Sequence, residues 1–251
     1  MGVPPGYQPG LAFPRAGRRG AGGGGGRYPA GHMDDVELLS ESELFSAFDR
    51  GTLAEMVGAS RPVRCERNVV VFSEGDPADE LFVVRSGRVA IGRQSPDGRE
   101  SLVALMERGD LFGEMPLFDD GSRPASARAL ERSELVCLPY TVVRTSLDAK
   151  PQLLWEVVNL LARRLRSSDS ALADAVFLDV TGRTAKRLLE LAGGADEFTL
   201  PITQEELAGL VGASRERVNK AIAAFVRLGW IDQQDRRYRI TGREHLAQRA
   251  H

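Results

Sequence analysis

The stretch from Thr203 to Phe225, TQEELAGLVGASRERVNKAIAAF, constrains its own fold more tightly than any other part of this 251-residue chain. Gly212 stands between Leu210-Val211 and Ala213-Ser214, where a residue that tolerates positive φ lets one helix reverse into the next. Ser214 follows as an N-cap whose hydroxyl can accept from the free amides of the second helix. On that helix Val218, Ala221, Ile222 and Phe225 cover one side. Arg215, Glu216, Asn219 and Lys220 share an arc of roughly 140° on the other, at ~100° per residue. Glycine, cap, apolar face and charged face together predict a helix-turn-helix. The polar residues lie early in the second helix, where an arginine can pair bidentately with guanine and a glutamate can accept from cytosine N4. The expected partner is therefore DNA; the competing reading is a solvated charged face on an ordinary helical hairpin.

The flanking sequence extends this unit. TGRTAKRLLELA from Thr181 is amphipathic, and DQQDRRYRITG after Ile231 reads as a basic hairpin, the wing of a winged helix. Charge supports the assignment. Residues 180–251 hold 12 Lys and Arg against 9 Asp and Glu, and residues 1–32 hold four arginines and no acid, whereas the stretch between them carries 17 basic and 26 acidic residues. The overall charge of −2 hides a basic C-terminal segment, which suits a nucleic-acid partner without establishing one.

Residues 1–32 are rich in Gly, Pro and Arg, include five consecutive glycines from Gly22 to Gly26, and show no apolar period. Such a segment buries too little to offset backbone ordering, so disorder is expected; Met33 is an equally good start. A helical lead-in is expected from Ser40 to Val57. Short β-like runs follow: NVVVF ending at Phe72, ELFVVRS from Glu80, RVAIGR from Arg88, ESLVAL from Glu100 and SELVCLP from Ser133, separated by turn sequences. Strands at this spacing predict a jelly-roll architecture. That architecture also serves metal-dependent enzymes, but the histidines are His32, His245 and His251, none of them in the β region, which argues against an imidazole metal centre or a haem ligand there. Cys65 and Cys137 are the two cysteines, too few for an iron–sulfur cluster, and are read as buried free thiols. No apolar stretch is long enough to span a membrane, and no secretory leader pattern opens the chain, so the cytoplasm is expected.

From Pro151 to about Asp179 the pattern becomes helical, roughly 43 Å long at ~1.5 Å per residue. Leu154, Val158, Leu161, Leu165, Leu172 and Ala175 follow alternating steps of four and three, with Ser168 at the one position where an apolar residue is missing. This is a coiled-coil seam, and it predicts a parallel homodimer; a helix packed only on its own β domain is the alternative.

GASRERVNKAIAAF and FLDVTGR, from Phe177 to Arg183, resemble the recognition helix and hinge of the cyclic-AMP receptor protein and FNR family of bacterial transcription regulators. The resemblance runs from Met33 onward and is strongest to actinobacterial members. It implies an α+β chain: a disordered tail over 1–32, a cyclic-nucleotide-binding-like β-roll sensor over 33–150, a dimerisation helix over 151–179 and a winged helix-turn-helix over 180–251. It implies a regulator, not an enzyme, controlled allosterically by a cyclic nucleotide. Its DNA would be palindromic with TGTGA-like half-sites, and RNA polymerase would be a further partner if it activates. Arg215, Glu216 and Lys220 would read bases, while Thr203, Gln204 and Ser214 would hold phosphates.

GEMPLFDDGSRPASARA, from Gly113 to Ala129, is similar to that family's phosphate-binding cassette. Gly113 permits close approach of backbone to ligand, Glu114 can accept from a ribose hydroxyl, and Arg123 can fork onto a cyclic phosphate. Arg164, on the long helix, is placed to pair with Glu114. Two residues depart from the cyclic-AMP pattern. Pro124 replaces a Ser or Thr and supplies neither hydroxyl nor N–H. Ser168 and Asp169 stand where the family contacts adenine; the carboxylate of Asp169 can accept from an adenine amine or guanine N–H groups, or be solvated. Cyclic AMP is the favoured ligand, with another nucleotide such as cyclic GMP or a cyclic dinucleotide, or no ligand, as alternatives. A ligand beside Ser168 would alter the packing of the two long helices and, through the hinge at Phe177 to Gly182, the spacing of the recognition helices. A cyclic-nucleotide-regulated enzyme or scaffold is the alternative from another class, and the segment after Asp179 leaves it no room for a catalytic domain.

Overall fold

The computed structural model describes residues 30–94 and 100–251; most of the expected tail and the turn expected between the RVAIGR and ESLVAL runs lie outside them. The lead-in is two helices rather than one: α1 (Ala30–Glu41) and α2 (Arg50–Ala59). Asp49 divides them, because its carboxylate accepts from Thr52 N and caps α2, and a capping Asx residue favours a helix start over a helix interior.

Eight strands then form two four-stranded antiparallel sheets. β1 (Arg61–Cys65), β2 (Val70–Phe72), β3 (Glu80–Ser86), β4 (Val89–Gln94), β5 (Glu100–Met106), β6 (Leu111–Phe112), β7 (Ser126–Ala129) and β8 (Ser133–Pro139) pair in the orders β1-β8-β3-β6 and β2-β7-β4-β5. This is the expected jelly roll. The apolar run of β3 does not alternate because both of its faces are covered. Phe82 and Val84 point between the sheets with Val89, Phe112 and Cys137. Leu81 and Val83 point the other way, beneath α1, α2 and α4 (Tyr140–Ala149). Three strands escape sequence reading. β1 is RPVRC, β6 is two residues long, and β7 is SARA, none with the β-branched alternation that marks a strand.

Between α3 (Met115–Asp119) and β7 lies the loop that carries Arg123. A 3₁₀ turn (Pro151–Leu153) leads into α5 (Leu154–Phe177), whose Val157 and Leu160 are buried against the β-roll. Its seam is bare in the protomer: Leu154, Val158, Leu161, Leu165 and Leu172 are all exposed.

The C-terminal unit comprises α6 (Val180–Ala192), β9 (Glu197–Thr199), α7 (Gln204–Val211), α8 (Arg215–Arg227), β10 (Ile231–Gln234), β11 (Arg237–Ile240) and α9 (Arg243–Arg249). The wing is three-stranded, β10-β11-β9, one strand more than the expected hairpin. This unit is not independent of the β-roll. Ala90 and Leu102 from the sheet and Leu130 just after β7 share one apolar cluster with Leu207, Ala208 and Val211 of α7. Among the described residues no helix is long and apolar enough to cross a membrane.

Candidate functional site

Two sites emerge, one in the β-roll and one on the C-terminal unit. In the first, Gly113 has φ +79°, and a Cβ there would stand 2.7 Å from the Arg123 guanidinium, so glycine is required by both conformation and contact. Arg123 does not face outward. It is 3% exposed and donates to Gly113 O at 2.6 Å, to Tyr140 Oη at 3.1 Å and to Glu80 O at 2.7 Å. Its guanidinium also lies 4.1 Å from the Phe72 ring centroid. Tyr140 donates its own hydroxyl proton to Gly113 O, and burial pushes that phenol up to about 12.

Glu114 is fully buried and ion-paired to Arg164 Nη1 at 2.7 Å. The alignment is that of an ion pair rather than a hydrogen bond, and both carboxylate oxygens lack a donor in good geometry. A buried acceptor in this state is costly and is suited to a ligand hydroxyl. Burial pushes the Glu114 carboxyl upward, with the positive charge of Arg164 opposing it. Arg164 donates additionally to Leu111 O at 2.8 Å, which fixes α5 against β6. Gly113, Glu114, Arg123 and Arg164 are thus brought together by three separate elements. Pro124 is exposed beside them, and Ser168 and Asp169 are exposed on α5, about 6 Å or more along the helix from Arg164 at ~1.5 Å per residue; among the described residues no side-chain hydrogen bond or ion pair joins either to the four. Phe72 and Tyr140 were not singled out in the sequence. Tyr140 is 17 residues from Arg123, with no local spacing to tie it there.

The second site is the surface of α8. Gly212 adopts φ +68° as the C-cap of α7, and Ser214 caps α8 by accepting from Arg217 N. Arg215, Glu216, Asn219 and Lys220 are exposed, while Val218, Ala221, Ile222 and Phe225 are buried. Lys220 pairs with Glu216 at 2.6 Å, which holds the Glu216 carboxyl below its usual range. Among the described residues Arg215 and Arg217 have no ion-pair partner, so the start of α8 projects exposed cations. Thr203 forms a capping box with Glu206, and Gln204 donates to Tyr238 Oη at 2.7 Å. Glu206 has a further role that sequence reading missed. It is 7% exposed and lies 3.5 Å from Arg67 and 3.9 Å from Arg128 of the β-roll, so a helix cap doubles as an interdomain contact. Arg183 is likewise two-sided, donating to Leu178 O at 2.8 Å and Val211 O at 2.9 Å, and so ties the hinge to the end of α7.

Residues 62–149 match the family model for a cyclic nucleotide-binding domain, and residues 182–249 match that for a Crp-like helix-turn-helix domain. A CRP-like cAMP-activated global transcriptional regulator of Mycobacterium tuberculosis is 41% identical over 221 residues, covering 85% of this chain and 99% of that protein. The cAMP-activated global transcriptional regulator CRP of Salmonella typhimurium is 33% identical over 61% of this chain and 76% of its own length. Among solved structures, the c-di-GMP responsive regulator CLP of Xanthomonas campestris superposes with a TM-score of 0.67 at 28% identity, over 76% of this chain and 99% of that one. FixK2 of Bradyrhizobium japonicum shares the fold, with a TM-score of 0.69 at 20% identity over 75% of this chain and 96% of that one.

Proposed function

Because the chain belongs to the cyclic-AMP receptor protein and FNR family of DNA-binding transcription regulators, we propose that it acts as a homodimer whose β-roll binds a cyclic nucleotide, cyclic AMP by preference. In this reading residues 33–150 sense, 151–179 dimerise and 180–251 read DNA. The observation that carries it is Glu114: a fully buried carboxylate without an aligned donor, beside Gly113 and Arg123 and ion-paired to Arg164, on the helix that also carries the exposed seam. A ribose hydroxyl donating to Glu114 and a cyclic phosphate pairing with Arg123 would satisfy both groups. To reach the phosphate, Arg123 must leave Gly113 O and Glu80 O.

Two seams packed together would bring two α8 helices into successive major grooves about 34 Å apart, with Arg215, Glu216 and Lys220 at base edges. Asn219 lies on the same face, while Thr203, Gln204 and Ser214 hold phosphates. The expected operator is a palindrome of TGTGA-like half-sites. In this reading the protein works in the cytoplasm, with RNA polymerase as a further partner if it activates.

A second reading rests on Pro124 together with the buried Arg123: the chain takes another nucleotide, as the name of the Xanthomonas relative states for that protein, or acts without one. Calorimetric titration with cyclic AMP, paired with gel shifts on a TGTGA palindrome with and without it, separates the readings. Heat and a gain in operator affinity support cyclic AMP. Operator binding with neither supports the second reading, and no selective binding, or an unchanged Arg215→Ala variant, removes the base-reading assignment.

A further inference from the structure

The seam of α5 sets a heptad frame. Leu154, Leu161, Ser168 and Ala175 occupy d, and Val158, Leu165 and Leu172 occupy a. On this frame Ala162, Asp169 and Val176 are e positions, and Val157, Arg164 and Ala171 are g positions. In a parallel two-stranded coil a g residue faces the partner's e residue five positions later, and such pairs set partner choice and register. The rungs would be Val157 against the partner's Ala162, Arg164 against the partner's Asp169, and Ala171 against the partner's Val176. Two are apolar. The middle one joins opposite charges.

Three observations converge on this rung. Asp169 is exposed and, among the described residues, has no side-chain hydrogen-bond or ion-pair partner within its own protomer, although Arg166 lies three residues before it. Arg164 is only part-engaged: Nη1 meets Glu114 and Nη2 meets Leu111 O, while a guanidinium offers five N–H donors in a fork. Its side chain is 34% exposed, on the flank of α5 between the β-roll and the bare seam.

We propose that Asp169 pairs across the dimer with the partner's Arg164, so that each cassette glutamate shares its arginine with the other protomer. The proposal rests on the homodimer reading above. It assigns Asp169 to the interface rather than to base contact, and makes it a positioning residue. Whatever reorients Arg164 relative to Glu114 then changes a contact between protomers, coupling each sensor site to the seam without a further element. Two-fold symmetry gives two copies of the pair per dimer.

The test is the dimer dissociation constant, measured by sedimentation of the full chain at about 50 mM salt and again at about 500 mM. Wild type, Asp169→Asn, Arg164→Gln and the double variant are compared, with circular dichroism melts to verify folding. Asp169→Asn is expected to weaken the dimer about five- to thirtyfold for two exposed pairs. It should change the constant less than about twofold in the Arg164→Gln background, and high salt should remove most of the difference. Asp169→Glu should retain most of the affinity, which guards against a folding defect in Arg164→Gln. A dimeric wild type in which Asp169→Asn has no effect, or the same effect in both backgrounds, overturns the proposal alone. A wild type that sediments as a monomer at every concentration overturns the homodimer reading with it.

Discussion

The guanidinium carbon of Arg123 stands 4.1 Å above the centre of the Phe72 ring, with two backbone carbonyls and the Tyr140 hydroxyl accepting from its two Nη groups and its buried Nε left without a partner. Stacked on an aromatic face and hydrogen-bonded at its edge, a guanidinium loses little by leaving water. Arg123 is therefore part of the β-roll core, and pairing with a ligand requires giving up these contacts for others.

Arg123→Leu is expected to lower ligand-free stability by about 2 to 4 kcal/mol, because Glu80 O and Gly113 O lose charged donors in a buried setting. Urea denaturation without nucleotide measures this. An arginine that merely waited in solvent would give a change within ±0.5 kcal/mol, and that result would remove the core role.

Pro124→Thr restores a hydroxyl and an N–H beside Arg123. One added hydrogen bond to a charged phosphate contributes on the order of 1.5 to 3 kcal/mol, so cyclic-AMP affinity should rise roughly ten- to a hundredfold. Calorimetry on the variant and parent decides it; equal affinities would show that the missing donors do not limit binding.

Glu206 serves the capping box of α7 and faces Arg67 and Arg128. Glutamine can also serve in a capping box, so Glu206→Gln should keep thermal stability within about 0.5 kcal/mol while loosening the two domains. Glu206→Ala should lose about 1 kcal/mol in addition. Small-angle scattering and hydrogen exchange over β5 report the loosening. Protection in Glu206→Gln equal to that of the parent would assign the contact no role in docking.

Tyr140 gives an alkaline signature. Its phenol ionises near ~10 in the unfolded chain and is pushed up to about 12 in the folded one by burial. Across that window the unfolded state releases a proton that the folded state keeps, so stability is intact below the window and falls as pH rises through it. Tyr140→Phe should lack this part of the fall, a difference of about 1 to 2 kcal/mol near the upper end, read from denaturation midpoints at successive pH values.

Arg215→Ala should cost about 1 to 3 kcal/mol of discrimination between the palindrome and a single-base variant of its half-site. Because Arg215 is exposed and has no ion-pair partner among the described residues, the melting temperature should not move. Gel shifts on the two DNAs check the first expectation and a thermal melt the second.

Much of the architecture was legible because burial on a single element writes a local period. Val218, Ala221, Ile222 and Phe225 mark the inner face of α8 at helical spacing, and the seam residues of α5 mark its outer stripe. Gly212 and Ser214 announce the turn and cap through conformational demands that few other residues meet. The division of the lead-in into α1 and α2 was less legible, since Asp49 acts as a cap only once Thr52 presents its amide. Strands β1, β6 and β7 are held by their neighbours in the sheets and lack a pattern of their own.

By itself the sequence determined the order of the units, the charged face of α8, the apolar seam of α5 and the residue types around Gly113 and Arg123. Only the tertiary structure decided which way Arg123 turns, that Tyr140 and Phe72 receive it, and that Glu206 joins two domains. Helical and strand periods record which side of an element is buried. The choice of a long, charged side chain between solvent and a carbonyl 43 residues away, as for Arg123 and Glu80, is made by acceptors that converge only after the sheets have packed.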